Sequence, residues 1–423
     1  YICLDTVYLS FPLRFSHIAK TVSNTLELSG KASTGDVRHN YMGGWALVAM
    51  NRTSYSGYNL GVDVQGPGLY SHVSVYDPHS MGYMTSRFSK ATPTHYYTNS
   101  LYAQDLMEFG EHWKVLAALR YDFFRYLSTS AKTPSGKREY EEHGDFNRIK
   151  NRALTYRFGA VYMPHPRTFY QDNVVYVDAG GWRFTPKKNE EVFKPEKGYQ
   201  AEVGVKYQLN QYLTANASLF YIRKMNSTAT LTSSYQEEVG GEMVTKRVIG
   251  QVGAQDSKGF DFDVTVSPVS SLALTLGYGF NDSKIREMAE VKDKALADAI
   301  YGNDPAASKE SLNSTKGNWQ ANVPNQTFYA YGSYTIPRGV LKDLEFHLSS
   351  SYTGKVYRNT ANSSWFDAYW ISDLGLSYRL PNNVHLTFNL NNVFDKSYYN
   401  QALGQQLVPS MPRNFQVAIS YRL

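Results

Sequence analysis

The side chains able to do chemistry in this chain are many but poorly grouped for catalysis. Ten histidines are scattered through 423 residues, and no HExxH pattern sets two of them on one helical face. His39, His95, His112 and His347 each stand alone among strand or turn residues, whereas a metal site needs several converging ligands. Cys3 is the one cysteine, so neither an internal disulfide nor a cysteine metal site can form. Asp256, Asp261 and Asp263 are near in sequence but lie on a strand pattern, not in a calcium-binding loop. What the chain has in abundance is rings: 15% of residues are aromatic, and 35 are Tyr. Tyr55, Tyr58 and Tyr70 in a long connection, Trp182 and Phe184 at a strand's end, and Trp365 with Phe366 are candidate binding residues. Lys187, Lys188 and Lys194 beside Trp182 and Phe184 could draw in an anionic ligand. The chemistry is recognition; no enzyme and no cofactor is expected.

The elements that position these rings are strands. From Asn414 to Leu423 the chain alternates: Phe415, Val417, Ile419, Tyr421 and Leu423 on one face, Gln416, Ser420 and Arg422 on the other. Side chains change face at every residue of a strand, so such a segment has one apolar and one polar side. Tyr199–Tyr207, Phe260–Val266, Val115–Phe123 and Val384–Asn391 repeat the pattern. Roughly fifteen strands can be marked this way along the chain, the first complete one near Val22–Ser33. Glu202, Lys206, Asp261 and Asp263 fall on the polar side by parity. An all-β fold is expected.

Connections alternate in length. Short ones are Ser33–Arg38, Phe109–Trp113, Leu209–Tyr212, Pro268–Ser271 and Leu380–Asn383; long ones are Tyr55–Pro93, Ser128–Arg152, Asn226–Thr245, Asn281–Asn325 and Val356–Ala368. Polar loops of that length are anomalous in a compact soluble domain, but outer-membrane β-barrels carry them on the cell exterior and keep short turns in the periplasm. Phe109, Trp113, Tyr207, Tyr212, Tyr334 and Tyr378 flank the short turns, as an aromatic girdle at a membrane boundary would. No apolar run approaches the length of a transmembrane helix. The net charge of +6 is spread along the chain, so nucleic acid is not an expected partner. A transmembrane antiparallel barrel with its C-terminus in the periplasm is expected. Closed bacterial barrels have an even number of strands, so an odd count beginning on the outside carries the expectation of further strands upstream.

Four motifs, in order, are specific. Tyr102-Ala103-Gln104-Asp105 followed by Trp113 and Arg120-Tyr121-Asp122 resembles the YxQD…WxxxxGxRYD hairpin of TonB-dependent siderophore receptors, with Ala118 at the usual glycine. Pro195-Glu196-Lys197-Gly198 with Glu202, Gly204 and Lys206 resembles their PExGxxxExGxK strand. Ser257-Lys258-Gly259-Phe260-Asp261-Phe262-Asp263 is similar to a third strand. Asn389-Leu390-Asn391-Asn392-Val393-Phe394-Asp395, with Arg413 ahead of the final strand, resembles the closing signature. Order and spacing resemble the ferrichrome, hydroxamate-type branch.

That resemblance implies a barrel of about twenty-two strands around a plug, of which residues 1–423 would be the C-terminal barrel portion. The plug and roughly the first seven strands would lie outside this sequence. It also implies active uptake of a ferric siderophore, with iron present only within that cargo. The implied partners are TonB–ExbB–ExbD, engaged through the N-terminal region, and outer-membrane lipid and lipopolysaccharide. The motif residues are expected to act structurally, with Asn389, Asn391 and Asn392 tying neighbouring strands or the plug by hydrogen bonds. Haem or cobalamin receptors, a passive porin and a surface-binding barrel are the alternative functions.

Overall fold

The computed structural model describes residues 6–8, 13–58, 72–74, 88–134, 136–141, 143–163, 168–177, 197–208, 212–239, 242–286, 316–381, 383–403 and 406–421. Every regular element among them is a strand. The main sheet contains β1 (Leu13–Thr34), β2 (Val37–Tyr58), β3 (Lys90–Phe109), β4 (Trp113–Ser128) and β5 (Asn147–Tyr162). It continues through β6 (Thr168–Val177), β7 (Lys197–Gln208), β8 (Leu213–Val239), β9 (Glu242–Val269) and β10 (Leu272–Ile285). The remainder are β11 (Gln326–Thr335), β12 (Leu344–Thr353), β13 (Tyr369–Arg379), β14 (Val384–Asn391) and β15 (Asn414–Tyr421). These strands neighbour one another in chain order, and from β5 onward each pairing is antiparallel.

Register decides which side chains share a face. Leu274, Gly332, Leu348, Leu374, Leu390 and Phe415 are successive cross-strand partners over six strands. One residue along, Ala273, Ser333, His347, Gly375, Asn389 and Gln416 form the adjoining row. A slip of one residue would exchange the two faces. Phe415, Val417, Ile419 and Tyr421 therefore lie on the apolar face, and Gln416 and Ser420 on the polar one; Arg422 is outside the described residues. Cross-strand bonds hold the polar face: Asn216 Nδ2 donates to Asp263 at 2.7 Å, Ser257 and Ser283 meet at 2.7 Å, and Ser349 donates to Asp373 at 3.1 Å.

The apolar face is bare. Ile419 is 73% exposed and Leu348 51%. Among the described residues far more large hydrophobic side chains are exposed than buried. Soluble proteins seldom expose contiguous apolar patches beyond a few hundred Å², so rows of this extent require a hydrocarbon solvent.

Backbone contacts divide the chain into two units. The first, residues 1–30, 42–103 and 119–154, contains a small core in which Tyr55, Phe88, Ala91 and Ala131 pack together. The second, residues 31–41, 104–118 and 155–423, contains Val356 and Phe366 packed with Leu407. Short turns join the strands at one end. Gly110, between β3 and β4, has φ +61°, a conformation that suits glycine. Phe109, Trp113, Tyr207, Tyr212 and Tyr334 beside these turns are exposed.

Two expectations change. β1 begins at Leu13, well before Val22. The segment Asn226–Thr245, expected as a loop, instead prolongs β8 to Val239 and starts β9 at Glu242, with a register shift between Thr230 and Ser234. A paired ladder satisfies its own backbone groups and needs no apolar face, so polarity there concealed a hairpin. The β-branched Thr228, Thr230, Thr232, Val244, Thr245, Val248 and Ile249 suit such a ladder.

Candidate functional site: an aromatic and cationic surface

The connection from β12 to β13 builds the clearest surface for a ligand. Val356–Tyr357 pairs with Trp365–Phe366, so that Val356 faces Phe366 and Tyr357 faces Trp365. Alternation sorts the four. Val356 and Phe366 turn inward, each 8% exposed, and the Phe366 ring stacks on Tyr399 at 5.5 Å. Trp365 stands outward, 48% exposed, with its ring 6.5 Å from Tyr357. Lys355 Nζ lies 3.9 Å from the Trp365 ring centre and 4.6 Å from that of Tyr357. A cation so placed is attracted to both ring faces.

Asparagines hold this surface to residues 318–322 ahead of β11, where Trp319 bridges to Lys284 of β10. Asn362, at φ +56°, accepts from Trp319 N at 2.8 Å and donates to Trp319 O at 2.9 Å, replacing a strand partner with a side-chain amide. Asn318 Nδ2 donates to Thr360 O at 2.9 Å, and Asn322 N to Tyr357 O at 2.8 Å. Trp319 in turn carries Lys284 Nζ 4.8 Å from its ring centre, while Lys284 also pairs with Asp282 at 2.9 Å. Near the base, Tyr369 and Tyr398 stack at 4.2 Å, and burial followed by the neighbouring Tyr369 raises the Tyr398 hydroxyl above its ordinary pKa. The arrangement offers flat apolar faces beside positive charge, suited to a ligand that is anionic and partly planar.

Of the other aromatic candidates, Tyr55 is 4% exposed and packs at 5.6 Å from Phe88 and 6.4 Å from Tyr140. Tyr58 ends β2; its side chain, and Tyr70, Trp182, Phe184, Lys187, Lys188 and Lys194, lie outside the described residues. Lys355, Tyr357, Lys284 and Trp319 were not singled out by sequence. Their signal was the pair of aromatic dipeptide ends, Val356-Tyr357 and Trp365-Phe366, around the turn-forming Asn359 and Asn362. His39 Nδ1 is 2.6 Å from Asp105, His95 2.6 Å from Asn51 and His347 3.1 Å from Asn389. The first two partners are on the adjacent strand, whereas His347 reaches Asn389 across Gly375 of the strand between them.

The motif residues brace the chain. Arg120 Nε donates to both carboxylate oxygens of Asp122 at 3.0 Å and Arg120 Nη2 to Ser100 at 2.8 Å, while Ser100 also bonds Asp122. Tyr121 meets Phe123 edge-on at 4.7 Å, and Gln104 lies on β3 next to Asp105. Glu202 accepts from Gln200 at 3.1 Å. A Cβ on Gly204 would press to 2.9 Å on the Ala217 carbonyl oxygen, and Lys206 faces Asn216 across the same pair. Asn391 donates to Asn414 at 2.9 Å. Asn392 is the knot: 5% exposed, it donates to Lys396 O at 2.9 Å and Met411 O at 3.2 Å and accepts from Lys396 N at 2.8 Å. Asp395 accepts from Arg413 N at 2.7 Å, and Phe394 is 78% exposed.

An antiparallel sheet with one bare apolar face and short turns at one end is built as the wall of an outer-membrane β-barrel is. The chain belongs to the TonB-dependent receptor-like β-barrel family, whose model matches residues 5–393. It is 25% identical over 413 residues to the probable TonB-dependent siderophore receptor PiuA of Acinetobacter baumannii, covering 91% of this chain and 50% of that protein. It is also 25% identical to the metal-pseudopaline receptor CntO of Pseudomonas aeruginosa, over 76% of this chain and 40% of that one. The crystal structure of PiuA superposes with a TM-score of 0.73 at 19% identity, covering 96% of this chain and 56% of that chain. The chain thus spans about half the length of the curated relatives it matches. At these identities the comparison carries the family and does not single out a ferrichrome-type branch within it.

Proposed function

We propose that this chain forms the C-terminal barrel portion of an outer-membrane receptor that takes up a ferric siderophore by TonB-dependent transport. The observation that carries the reading is the Lys355, Tyr357 and Trp365 surface, raised at the end opposite the short turns on a barrel wall of this family. Ferric siderophores are bulky complexes with planar, often anionic faces, and the exposed Trp365 ring with half-buried Tyr357 beside a lysine matches that chemistry. The reading places the short turns and the C-terminus in the periplasm. In this reading, transport is coupled to TonB–ExbB–ExbD and a plug occludes the lumen of the complete receptor. Iron enters as cargo within the siderophore.

The test is uptake in iron-limited cells expressing the receptor that contains this chain, using radio-iron-labelled ferric catecholate and ferric hydroxamate complexes. TonB-dependent accumulation of one of them is the expected result. Accumulation that persists without TonB would replace this reading with passive diffusion.

A further inference from the structure

On the lipid-facing side, next to the short turns, the apolar rows are dented. Gly332 stands between Leu274 and Leu348 in its row. With no side chain there, a groove of about 430 Å³ opens, lined by Gly332, Tyr334, Phe346, Leu348, Leu374 and Leu376 among others. Its lining is almost wholly apolar and comes from five adjacent strands, β10 to β14. The turn-side end of the groove is Leu272, Tyr334, Phe346, Leu376 and Phe388, successive cross-strand partners. Just beyond it runs the connection from Ile336 to Asp343, folded back by Ile336 N to Leu344 O at 2.8 Å and Asp343 N to Ile336 O at 2.9 Å. Tyr378 ties that connection to the sheet by donating to Val340 O at 3.3 Å.

The composition of this rim is specific. Val340 is 96% exposed and Leu341 51%, so two apolar side chains project where the membrane boundary would lie. Arg338 and Lys342 flank them and are exposed. Asp343 is the one carboxylate of the connection. We propose that this groove is a phospholipid site: one acyl chain lies along Gly332, Leu348 and Leu374, and an anionic headgroup meets Arg338 and Lys342. In a bilayer an apolar surface gains little merely by touching hydrocarbon, since lipid tails are as apolar as leucine. Selectivity must then come from shape and charge. The dent supplies the first, because an unfilled depression forfeits dispersion contacts. The basic rim supplies the second, through attraction to an anionic headgroup. This site rests on the barrel's lipid face and is independent of which cargo the receptor carries.

The experiment is native mass spectrometry of the detergent-solubilised receptor titrated with phosphatidylglycerol or phosphatidylethanolamine of identical chains. One phosphatidylglycerol should be retained in preference to phosphatidylethanolamine. Gly332→Leu, which fills the dent as the flexible Leu274 side chain 3.1 Å from the added Cβ gives way, should lower retention of phosphatidylglycerol about fivefold. Arg338→Gln with Lys342→Gln, both on an exposed connection that leaves the sheet intact, should lower it about tenfold and leave phosphatidylethanolamine unchanged. Equal retention of the two lipids by the native protein, or undiminished phosphatidylglycerol retention in the Arg338 and Lys342 double variant, would overturn the proposal. Siderophore uptake plays no part in either readout, so a failure here is separable from a failure of the receptor reading.

Discussion

A methyl group on Gly259 would overlap the carbonyl oxygen of Phe280 in the adjacent strand. The obstacle is backbone, and beside it sits the Phe220 ring, 2.8 Å from the same point. The two strands, β9 and β10, are held by paired residues from Gln255 to Val269, so neither can withdraw without breaking its ladder. Gly259→Ala should therefore lower the stability of the folded sheet by about 1–3 kcal/mol, the usual cost of overpacking. Gly144→Ala, where a Cβ meets nothing within 4 Å, should stay within about 0.5 kcal/mol of the parent. Urea titration of folding in detergent or lipid vesicles, followed by tryptophan fluorescence, measures both.

Parity on the last strand gives a paired test. Ile419 is opposite Leu386 on the apolar face, and Ser420 is opposite His385 on the polar face. Arginine at Ile419 places a charge in hydrocarbon, costing about 2–4 kcal/mol near the midplane. Arginine at Ser420 faces the polar side and should assemble normally. Heat-modifiable migration of the two variants on gels separates the outcomes, and equal folding yields would reverse the assignment of faces.

Asn392 should be far less replaceable than its solvent-exposed neighbours. Its side chain makes three bonds to the backbone of Lys396 and Met411, and its own N–H is taken by Asp373 at 2.7 Å. Asn392→Ala leaves buried donors and acceptors unpaired, at about 1–3 kcal/mol for such a group. Asn392→Asp keeps the acceptor but loses both donated bonds and adds a buried charge, so it should not rescue. Limited proteolysis between Val393 and Pro412, compared with the parent, reports the loosening directly.

Face and register were legible in sequence because period-2 alternation is a direct imprint of a sheet with unlike sides, as Phe415 through Tyr421 illustrate. Asn391 and Asn392 bond Asn414, Lys396 and Met411, as short polar side chains at a strand's end readily do. The surface proposed for the ligand was only half legible. Trp365 could be named as a ring near an outer connection. That Phe366 turns inward while Trp365 turns outward depends on the two-residue ladder with Val356 and Tyr357, formed across a connection whose polarity resembles any loop. Lys355 acquires its role only when Trp365 is brought beside it. Tyr55 shows the converse, an aromatic residue at a connection that packs into a small core with Phe88.

The ladder between Val356–Tyr357 and Trp365–Phe366 separates two kinds of substitution at neighbouring positions. Trp365→Ala and Lys355→Gln remove an exposed ring and the half-buried lysine that packs on it, outside the main sheet, so they should leave assembly intact. If the receptor binds an anionic, partly planar ferric siderophore there, each should weaken binding by about 0.5–2 kcal/mol, the range of a cation–π contact. The loss in the double variant should fall short of the sum, because both changes break the same 3.9 Å contact. Phe366→Ala acts differently: it empties a position packed against Val356, Leu407 and Tyr399 and should destabilise the connection by about 3 kcal/mol or more. Its effect on binding should vanish from the comparison once only folded receptor is counted. Titration of labelled siderophore on whole cells, normalised to surface-exposed receptor, distinguishes the two classes. Full affinity in the Lys355 and Trp365 double variant would move the recognition site away from this surface.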